Sequence, residues 1–163
     1  MNRSIVLLLI PFLFVVGACN KNEKQCLFNS FDKTTWNRFE KQKFEFPIEN
    51  NSSPYDVMLT LRHNDDFVSD NLYIHVVMEM PGGEKRIMEY DFKIRDDDGN
   101  FLSNDRNGYH EISFPLHKEL HFSERGACRV EIENLIPKME IQGILELGLC
   151  MLPSEDNQHK KKK

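Results

Sequence analysis

Apolar residues recur at every second position in run after run of this chain, and this two-residue period restricts its fold more than any other feature. One run begins at Phe44, a second spans Tyr55 to Leu61, and a third spans Leu72 to Met78. Successive side chains of a β-strand point to opposite faces, so each run predicts a strand with one buried face. The chain is therefore expected to fold mainly as β-sheet.

Turn signals separate these runs. Pro81-Gly82-Gly83 follows the third run and predicts a hairpin to a partner strand at Arg86 to Ile94. Asp96 to Asn100 predicts a second turn, because Asp and Asn side chains bond their own backbone.

Three more runs complete the pattern, at Ile112 to Leu116, Cys128 to Ile132, and Ile144 to Leu152. Pro115 predicts an edge strand or a bulge, because proline cannot donate to a ladder. The last run is apolar or small on both faces, which predicts a central strand. Seven or eight short strands without a long helical stretch predict a single all-β domain, an antiparallel, jelly-roll-like β-sandwich.

The first 19 residues predict export. Arg3 precedes an apolar run from Ile5 to Val16, which is too short to cross a bilayer, and small residues then lead to Cys19. This pattern looks like a bacterial lipobox. Residues 1–18 are therefore predicted to be a lipoprotein signal peptide, and Cys19 to be the lipid attachment site, with acyl chains such as palmitate anchoring the protein in the membrane. The alternative is an ordinary secretory signal that happens to be followed by a cysteine.

The rest of the chain divides into three parts. Residues 19–35 are mostly polar and are predicted to be a lipidated tether, with Phe28, Phe31 and Trp36 packing back on the domain. Residues 36–152 are the predicted sandwich. Residues 153–163 are predicted to be a disordered Lys-rich tail.

Three cysteines remain once Cys19 is acylated. They are Cys26, Cys128 and Cys150. The last two fall in apolar strand runs, where unpaired cysteines act as small buried hydrophobes. A bridge between them is the alternative, and it requires Cα atoms within about 7 Å.

The charge balance argues against nucleic-acid binding. Without its leader the chain has 20 basic and 26 acidic side chains, a net charge of −6. The only dense basic cluster is Lys160–Lys163, and a terminal run of this kind is usually a solvated tail.

No catalytic motif is evident in the sequence. There is no Gly-Xaa-Ser-Xaa-Gly elbow, and His117 and His121 have helical ligand spacing in a segment that reads as extended. We therefore expect that the protein is not an enzyme and that it has no catalytic residue, bound metal, cofactor or small-molecule substrate.

A glycan- or calcium-binding module is the alternative function. Asp96 to Asn100, together with Asp105, forms an oxygen-rich segment of the kind that can hold calcium, although its spacing differs from the twelve-residue calcium loop. Tyr73 and Phe101 are expected to be exposed rings that could stack on sugars.

From Trp36 to Met151 the chain also resembles a known family. The resemblance is carried by the lipobox, by Trp36 followed by a Phe-containing strand, and by four longer segments in a fixed order. These segments are Leu59–Asn64, Phe67–Ile74, Asp98–Leu102 and Met139–Leu149. On these residues the chain resembles the gliding-motility lipoprotein H (GldH) family of the Bacteroidota.

The resemblance implies an accessory lipoprotein of the envelope machinery for gliding and its associated secretion apparatus, without known enzymatic activity. Its expected partners are the membrane, through the N-terminal acyl chains, and other envelope proteins. Asn20 to Glu23 after the lipid site contains only one acidic residue, Glu23. The expected location is therefore the outer membrane, facing the periplasm rather than the cell surface.

Overall fold

The computed structural model describes residues 24–154, which form eleven β-strands and a short 3-10 helix, Asp32–Thr34. The strands are β1 (Gln25–Ser30), β2 (Thr35–Asn37), β3 (Lys41–Ile48), β4 (Tyr55–His63), β5 (Asn71–Glu79), β6 (Lys85–Lys93), β7 (Asn104–Arg106), β8 (Tyr109–Leu120), β9 (Gly126–Asn134), β10 (Glu140–Gln142) and β11 (Ile144–Pro153). The leader, Cys19 and Lys160–Lys163 lie outside the described residues. Within residues 24–154, no helix has the length and apolarity needed to span a bilayer.

The strands form three antiparallel sheets. The first has the order β1-β11-β4-β8-β7, the second has the order β3-β9-β5-β6, and β2 pairs with β10 in a small third sheet. The two large sheets share one core, which contains Leu59 of β4, Leu149 of β11, Val76 of β5 and Val130 of β9. Two sheets around a common core make a β-sandwich. The predicted fold class is confirmed.

The strand pairing is that of a jelly roll. β1 pairs with β11, β3 with β9, β4 with β8, and β5 with β6. The eight long strands thus pair first with last, second with seventh, third with sixth and fourth with fifth, like one long hairpin rolled into two sheets. The count of eleven exceeds the expected seven or eight, because β2, β7 and β10 have three residues each and are too short to show a period.

Three local predictions are confirmed. The turn at Pro81 joins β5 to β6 as a hairpin. Pro115 faces Met58 of β4 beside a register shift, which is the predicted bulge. β11 lies between β1 and β4 and is buried continuously from Leu147 to Met151, as expected of a central strand.

β1 corrects the predicted tether, because Gln25–Ser30 is an edge strand of the first sheet. The amide of Asn29 donates to Gln42 Oε1 at 3.1 Å, and the amide of Gln25 donates to the carbonyl of Pro47 at 3.2 Å. Inward-facing positions of β1 therefore bond the edge of β3 instead of entering the core. Because Gln25 and Asn29 are polar, β1 shows no apolar alternation in the sequence and was not predicted as a strand.

The aromatic residues after β1 pack on the domain as predicted. Phe31 is buried, Trp36 is fully buried, and their ring centroids are 5.2 Å apart. Phe28 remains more than one-third exposed, although its ring lies against Arg62.

The cysteine predictions are corrected in part. Cys26 and Cys150 face each other across β1 and β11, with Cα atoms 4.1 Å apart, and form a disulfide. Both expected states of Cys150, unpaired or bridged to Cys128, are therefore wrong. Cys128 is free and fully buried, as expected of a small hydrophobe, and burial raises the pKa of its thiol to about 12. A disulfide is typical of proteins folded in an oxidising compartment.

The strand directions give the sandwich two distinct ends. β1 begins where β11 finishes, with Gln25 opposite Met151, and the loops β3–β4, β5–β6 and β8–β9 lie at the same end. We name it the anchor end, because the chain from the predicted lipid site enters there. The opposite, distal end holds β2, β10 and the connections β4–β5 and β6–β8.

Candidate functional site

Exposed apolar side chains concentrate at the distal end. Nine large hydrophobic residues among residues 24–154 are exposed, and six of them lie in distal loops or strand ends. We name these six the distal rim: Phe39, Val68, Tyr73, Leu102, Leu135 and Met139. Apolar side chains gathered on one part of a surface mark protein-binding sites more often than single scattered ones.

Phe39 and Met139 are the most exposed members of the distal rim, at 68% and 70%. Their loops are joined because the backbone N–H of Arg38 donates to the carbonyl of Met139 at 2.8 Å. The Arg38 guanidinium carbon lies 5.3 Å from the centre of the Phe39 ring. A cation above an aromatic face adds a polar contact that a partner carboxylate can meet.

The turn that carries Phe39 is fixed by a hydrogen bond from a buried side chain. Trp36 is fully buried, and its indole N–H donates to the carbonyl of Glu40 at 2.9 Å. Phe39 itself has a φ of +69°, which a phenylalanine adopts only when the surrounding contacts impose it. The exposed ring therefore projects from a fixed turn, which lowers the entropic cost of binding.

Tyr73 and Leu135 continue the distal rim along the second sheet. The backbone N–H of Leu135 donates to the carbonyl of Tyr73 at 2.8 Å, which brings the end of β9 against the start of β5. Tyr73 is 42% exposed, and the neighbouring carboxylate of Asp91 raises the pKa of its phenol. Because the hydroxyl is already hydrogen-bonded to Asp91, the part of Tyr73 that a partner could contact is its exposed ring.

Arg95 organises the loops that carry the other two members, Val68 and Leu102. Its guanidinium donates to the carbonyl of Phe67 at 2.9 Å and to the carbonyl of Gly99 at 2.8 Å. The same group lies 3.6 Å from the centre of the Phe101 ring. Phe101 is consequently half-buried, and the expectation of an exposed, sugar-stacking ring at this position is wrong.

Asp96, the first carboxylate of the segment considered for calcium, accepts hydrogen bonds within its own turn. Asp96 Oδ1 accepts from the backbone N–H of Asn100 at 2.8 Å and from that of Asp98 at 3.0 Å. These hydrogen bonds, the ones from Asn100 foremost, lower the pKa of Asp96. Asp97 pairs with Lys93 at 2.6 Å, and Asp105 lies on β7 opposite His110. Across the described range, His, Cys, Asp and Glu nowhere gather in threes that could hold a metal.

Two histidines form a packed aromatic cluster behind the distal loops. His63 is fully buried, and its ring centroid lies 4.5 Å from that of Phe101 and 5.1 Å from that of His110. Burial lowers the pKa of His63 below its usual value, so the ring is neutral. His110 Nε2 lies 2.9 Å from a carboxylate oxygen of Asp65. His63 Nε2 is buried and has no hydrogen-bond partner among the described residues, so aromatic packing holds this ring, and the cluster braces the distal loops.

The two histidines with helical ligand spacing, His117 and His121, lie at the anchor end. His117 is half-buried on β8, where its Nδ1 is 2.8 Å from the carbonyl of Lys118. His121 follows the strand and is exposed. The helix that their spacing would need is absent from this stretch, which is a strand and a loop.

Arg62 forms the densest polar network on the outer face of the first sheet. It bonds Glu111 at 2.8 Å and Glu146 at 2.6 Å, and its guanidinium carbon lies 4.3 Å from the centre of the Phe28 ring. The neighbouring carboxylates, Glu111 first, raise the pKa of Arg62. A shallow cavity of about 330 Å³ beside it is lined in part by Tyr109. Because two carboxylates already take up this guanidinium, we assign the network to holding β1 on the sheet.

The distal rim was not predicted from the sequence. Of its six members only Tyr73 was singled out in advance, and its predicted exposure is confirmed. In the sequence, nothing distinguishes the other five from ordinary apolar residues in loops and at strand ends. Cys19, the predicted lipid site, lies outside the described residues.

A comparison with known proteins finds similar chains of nearly the same length. A protein of Flavobacterium johnsoniae named gliding motility lipoprotein GldH is 23% identical over 156 residues, which cover 90% of this chain and 93% of that protein. A Christiangramia forsetii protein named as a homolog of it is 19% identical over 153 residues, or 89% and 94% of the two chains.

Among solved structures, dimeric latent PorU from Porphyromonas gingivalis aligns with a TM-score of 0.39 and 5% identity. The alignment covers 80% of this chain but only 13% of PorU. The family model described as GldH lipoprotein matches residues 26–151, from the disulfide cysteine of β1 to Met151 of β11. This match spans most of the chain, and the protein therefore belongs to the GldH lipoprotein family.

Proposed function

We propose that this protein is an accessory lipoprotein of the gliding and secretion machinery, held by acyl chains on Cys19, that binds other envelope proteins through its distal rim and catalyses no reaction. The observation that supports this most is the position of the rim. Its six exposed apolar side chains lie at the end of the sandwich opposite the one where the chain from Cys19 enters.

Family membership and orientation support the proposal together. The protein belongs to a lipoprotein family, which gives it a membrane-anchored location in the cell envelope. A lipid on the segment before β1 holds the anchor end near the bilayer and leaves the distal end facing the aqueous space. The relatives are named for gliding motility, and we extend that role to this chain.

The composition of the distal rim suits a protein partner. Aromatic residues and Met are enriched at the buried centres of interfaces, and Arg accompanies them. Phe39, Met139 and Arg38 combine these three residue types on two joined loops. Burying one large side chain of this kind contributes about 1.5–3 kcal/mol, enough for a tenfold or greater change in affinity.

Replacing Phe39 by Ser should reduce the amount of motility or secretion components that co-purify from detergent-solubilised envelopes by about tenfold or more, because an anchor of the interface is lost. The matched control is Ile87→Ser, since Ile87 is 66% exposed but lies near the anchor end. Quantitative mass spectrometry of the eluates measures both variants.

The unaltered protein and Ile87→Ser should recover the same components. Equal recovery with Phe39→Ser and Ile87→Ser would count against the rim as the binding surface. A wild-type protein that reproducibly elutes alone would count against the wider proposal.

Replacing Cys19 by Ala should release the protein from the membrane, either as a soluble exported form or as a precursor that keeps its leader, because the acyl chains can no longer be attached. The fold should survive, since the described sandwich begins after this position. Carbonate washing of membranes, followed by immunoblotting, measures the distribution. The lipid anchor is contradicted if the variant loses its leader and still resists the wash.

Protease treatment of intact cells tests the proposed periplasmic orientation. We expect the wild-type protein to be digested only after the outer membrane is permeabilised. Digestion in intact cells would assign the domain to the cell surface and change the set of available partners.

A further inference from the structure

We propose that the open edge of β6 binds an extended segment of a partner protein as an added antiparallel strand. Such a segment has apolar residues on the side that faces the core and basic residues on the side that faces Glu89 and Asp91. This surface goes beyond the function proposed above, because it differs from the distal rim both in position and in the kind of ligand that it takes.

β6 is the longest of the four edge strands of the two large sheets. These edge strands are β1, β7, β3 and β6. Side-chain amides of β1 already bond β3: Gln25 donates to the carbonyl of Pro47 at 3.2 Å, and Asn29 donates to that of Lys43 at 3.3 Å. β7 has only three residues, whereas β6 has nine, and no strand of residues 24–154 pairs with its outer edge. A long edge of this kind is a template for another strand.

The unused backbone groups of β6 belong to alternate residues. In an antiparallel pair, residues that bond the neighbouring strand alternate with residues that do not. The backbone N–H of Met80 donates to the carbonyl of Glu84 at 2.8 Å, which places the even-numbered residues of β6 in the class that bonds β5. The N–H and C=O groups of Ile87, Glu89 and Asp91 therefore point away from β5, toward the open edge.

Half-buried apolar side chains line the inner side of the same edge. Met88, Tyr90 and Phe92 of β6 pack against the core without being fully covered, and so does Phe114 of β8. The rings of Phe92 and Phe114 are stacked, with centroids 4.3 Å apart, and the Tyr90 hydroxyl donates to the carbonyl of Leu116 at 2.6 Å. A strand added to β6 covers these side chains with its own inward-facing residues, which favours apolar residues at those positions.

The first sheet leaves room beside this edge. β7 pairs with β8 only from Tyr109 to Glu111, and no other described strand lies on that side of the remainder of β8. A strand added to β6 can therefore extend over β8 without displacing another strand.

The charges of β6 favour basic residues on the outer face of the added strand. The lysines at the two ends of β6 are already paired, Lys85 with Glu79 at 3.1 Å and Lys93 with Asp97 at 2.6 Å. Between them, Glu89 and Asp91 form no ion pair with any residue of the described chain. Opposite charges on facing strands stabilise the pair, and like charges destabilise it. A second copy of β6 brings the same two carboxylates, so a basic segment of another protein fits this edge better.

A synthetic peptide tests this edge directly. The probe has about nine residues of alternating valine and lysine, to match the length of β6, and carries a fluorescent label. Its affinity for the full-length protein in a nonionic detergent is measured by fluorescence anisotropy. We expect it to bind about tenfold or more tightly than the matching valine–glutamate peptide, and about 1 M NaCl should remove most of this difference. Equal binding of the two peptides at low salt would overturn the proposed charge preference.

Methylated peptides test the backbone contact without altering the protein. In an antiparallel added strand, the lysines share the outer face with Glu89, and their backbone N–H groups point toward β6. Methylation of the lysine backbone nitrogens should weaken binding by about tenfold or more, because these donors are lost. Methylation of the valine backbone nitrogens should change it by less than about twofold. Equal weakening by both methylations would overturn the added-strand geometry.

Ile87→Pro and Ile87→Ser form a matched pair on the protein. Both remove the same exposed side chain, but only proline removes the N–H that points to the open edge, at a position where an edge strand tolerates proline. Ile87→Pro should weaken peptide binding by about tenfold or more, and Ile87→Ser by less than about twofold. Circular dichroism and urea midpoints establish that both variants fold, and if Ile87→Pro does not, the methylated peptides still decide the question. Equal binding by the two folded variants would overturn the edge site.

Glu89→Gln tests the charge contact and has Glu49→Gln as its control. Glu49 is also exposed, but it follows β3 at the opposite edge of the same sheet. Glu89→Gln should weaken binding of the valine–lysine peptide by about threefold at low salt, and Glu49→Gln should leave it unchanged. Equal weakening by both would show that the peptide responds only to net charge, which would overturn the site.

Sedimentation of the protein without peptide tests the rival occupant. We expect Ile87→Pro and the wild-type protein to have the same oligomeric state. A wild-type dimer that Ile87→Pro dissociates would assign the edge of β6 to a second copy of this chain and overturn the partner-strand proposal. Phe39→Ser should bind the peptide as the wild-type protein does, since Phe39 belongs to the distal rim.

Discussion

Replacing both Cys26 and Cys150 by Ser should lower the free energy of unfolding by about 2–5 kcal/mol, because the disulfide closes one of the largest loops the chain can form. The two cysteines are 124 residues apart in sequence, and the bond joins the first strand to the last. Without it the unfolded chain gains conformational entropy, and the edge strand β1 is held only by its ladder and side-chain bonds. Urea denaturation followed by circular dichroism measures the loss.

Reduction provides a control that leaves the sequence unchanged. Dithiothreitol should lower the urea midpoint of the wild-type protein to nearly that of the double variant and should leave the midpoint of the double variant unchanged. In Cys128→Ala the disulfide is intact, so this variant should still respond to reduction. A wild-type midpoint that reduction does not change would show that the bond contributes nothing to stability.

Replacing Gly143 by Ala should lower the free energy of unfolding by about 3–5 kcal/mol, because two costs occur at one position. Gly143 has a φ of +85°, which side chains rarely adopt, and an added Cβ would clash with the backbone nitrogen of Phe67. The backbone N–H of Asn64 also donates to the Gly143 carbonyl at 2.9 Å, so the β4–β5 loop cannot move away without breaking this bond.

Gly83 offers a matched control for the backbone cost. It has the same φ of +85°, but an added Cβ would meet nothing within 4 Å. Gly83→Ala should therefore cost only about 1–2 kcal/mol. The difference between the two urea midpoints isolates the clash with the β4–β5 loop, and equal losses would contradict the close approach.

The long strands could be predicted from the sequence because half-buried strands impose a period of two on it. β3 shows this well: Phe44, Phe46 and Ile48 are buried, and the residues between them are exposed. The two-residue period is absent from a strand when neither of its faces is simply buried in the core or simply exposed to solvent. β1 places Cys26 in a disulfide and Asn29 against β3, so no apolar period marks it, and the disulfide was missed with the strand.

The candidate site was much harder to predict, since it depends on which loops meet. Phe39 and Met139 are 100 residues apart in sequence, and only the bond between their loops makes them neighbours. Phe101 shows the reverse error: its loop context suggested exposure, but Arg95 and His63 cover the ring. Local sequence does not record either arrangement.

The disulfide also determines how mechanical load enters the domain. β1 is an edge strand, and a pull on the segment that precedes it would tend to peel it from the sheet one hydrogen bond at a time. Cys26 is the second residue of β1, and its bond to Cys150 passes the pull to a strand with neighbours on both sides. With the anchor at Cys19 proposed above, tension between the membrane and the domain would bypass most of β1 and load the central strand β11, whose ladders on both sides would resist it together.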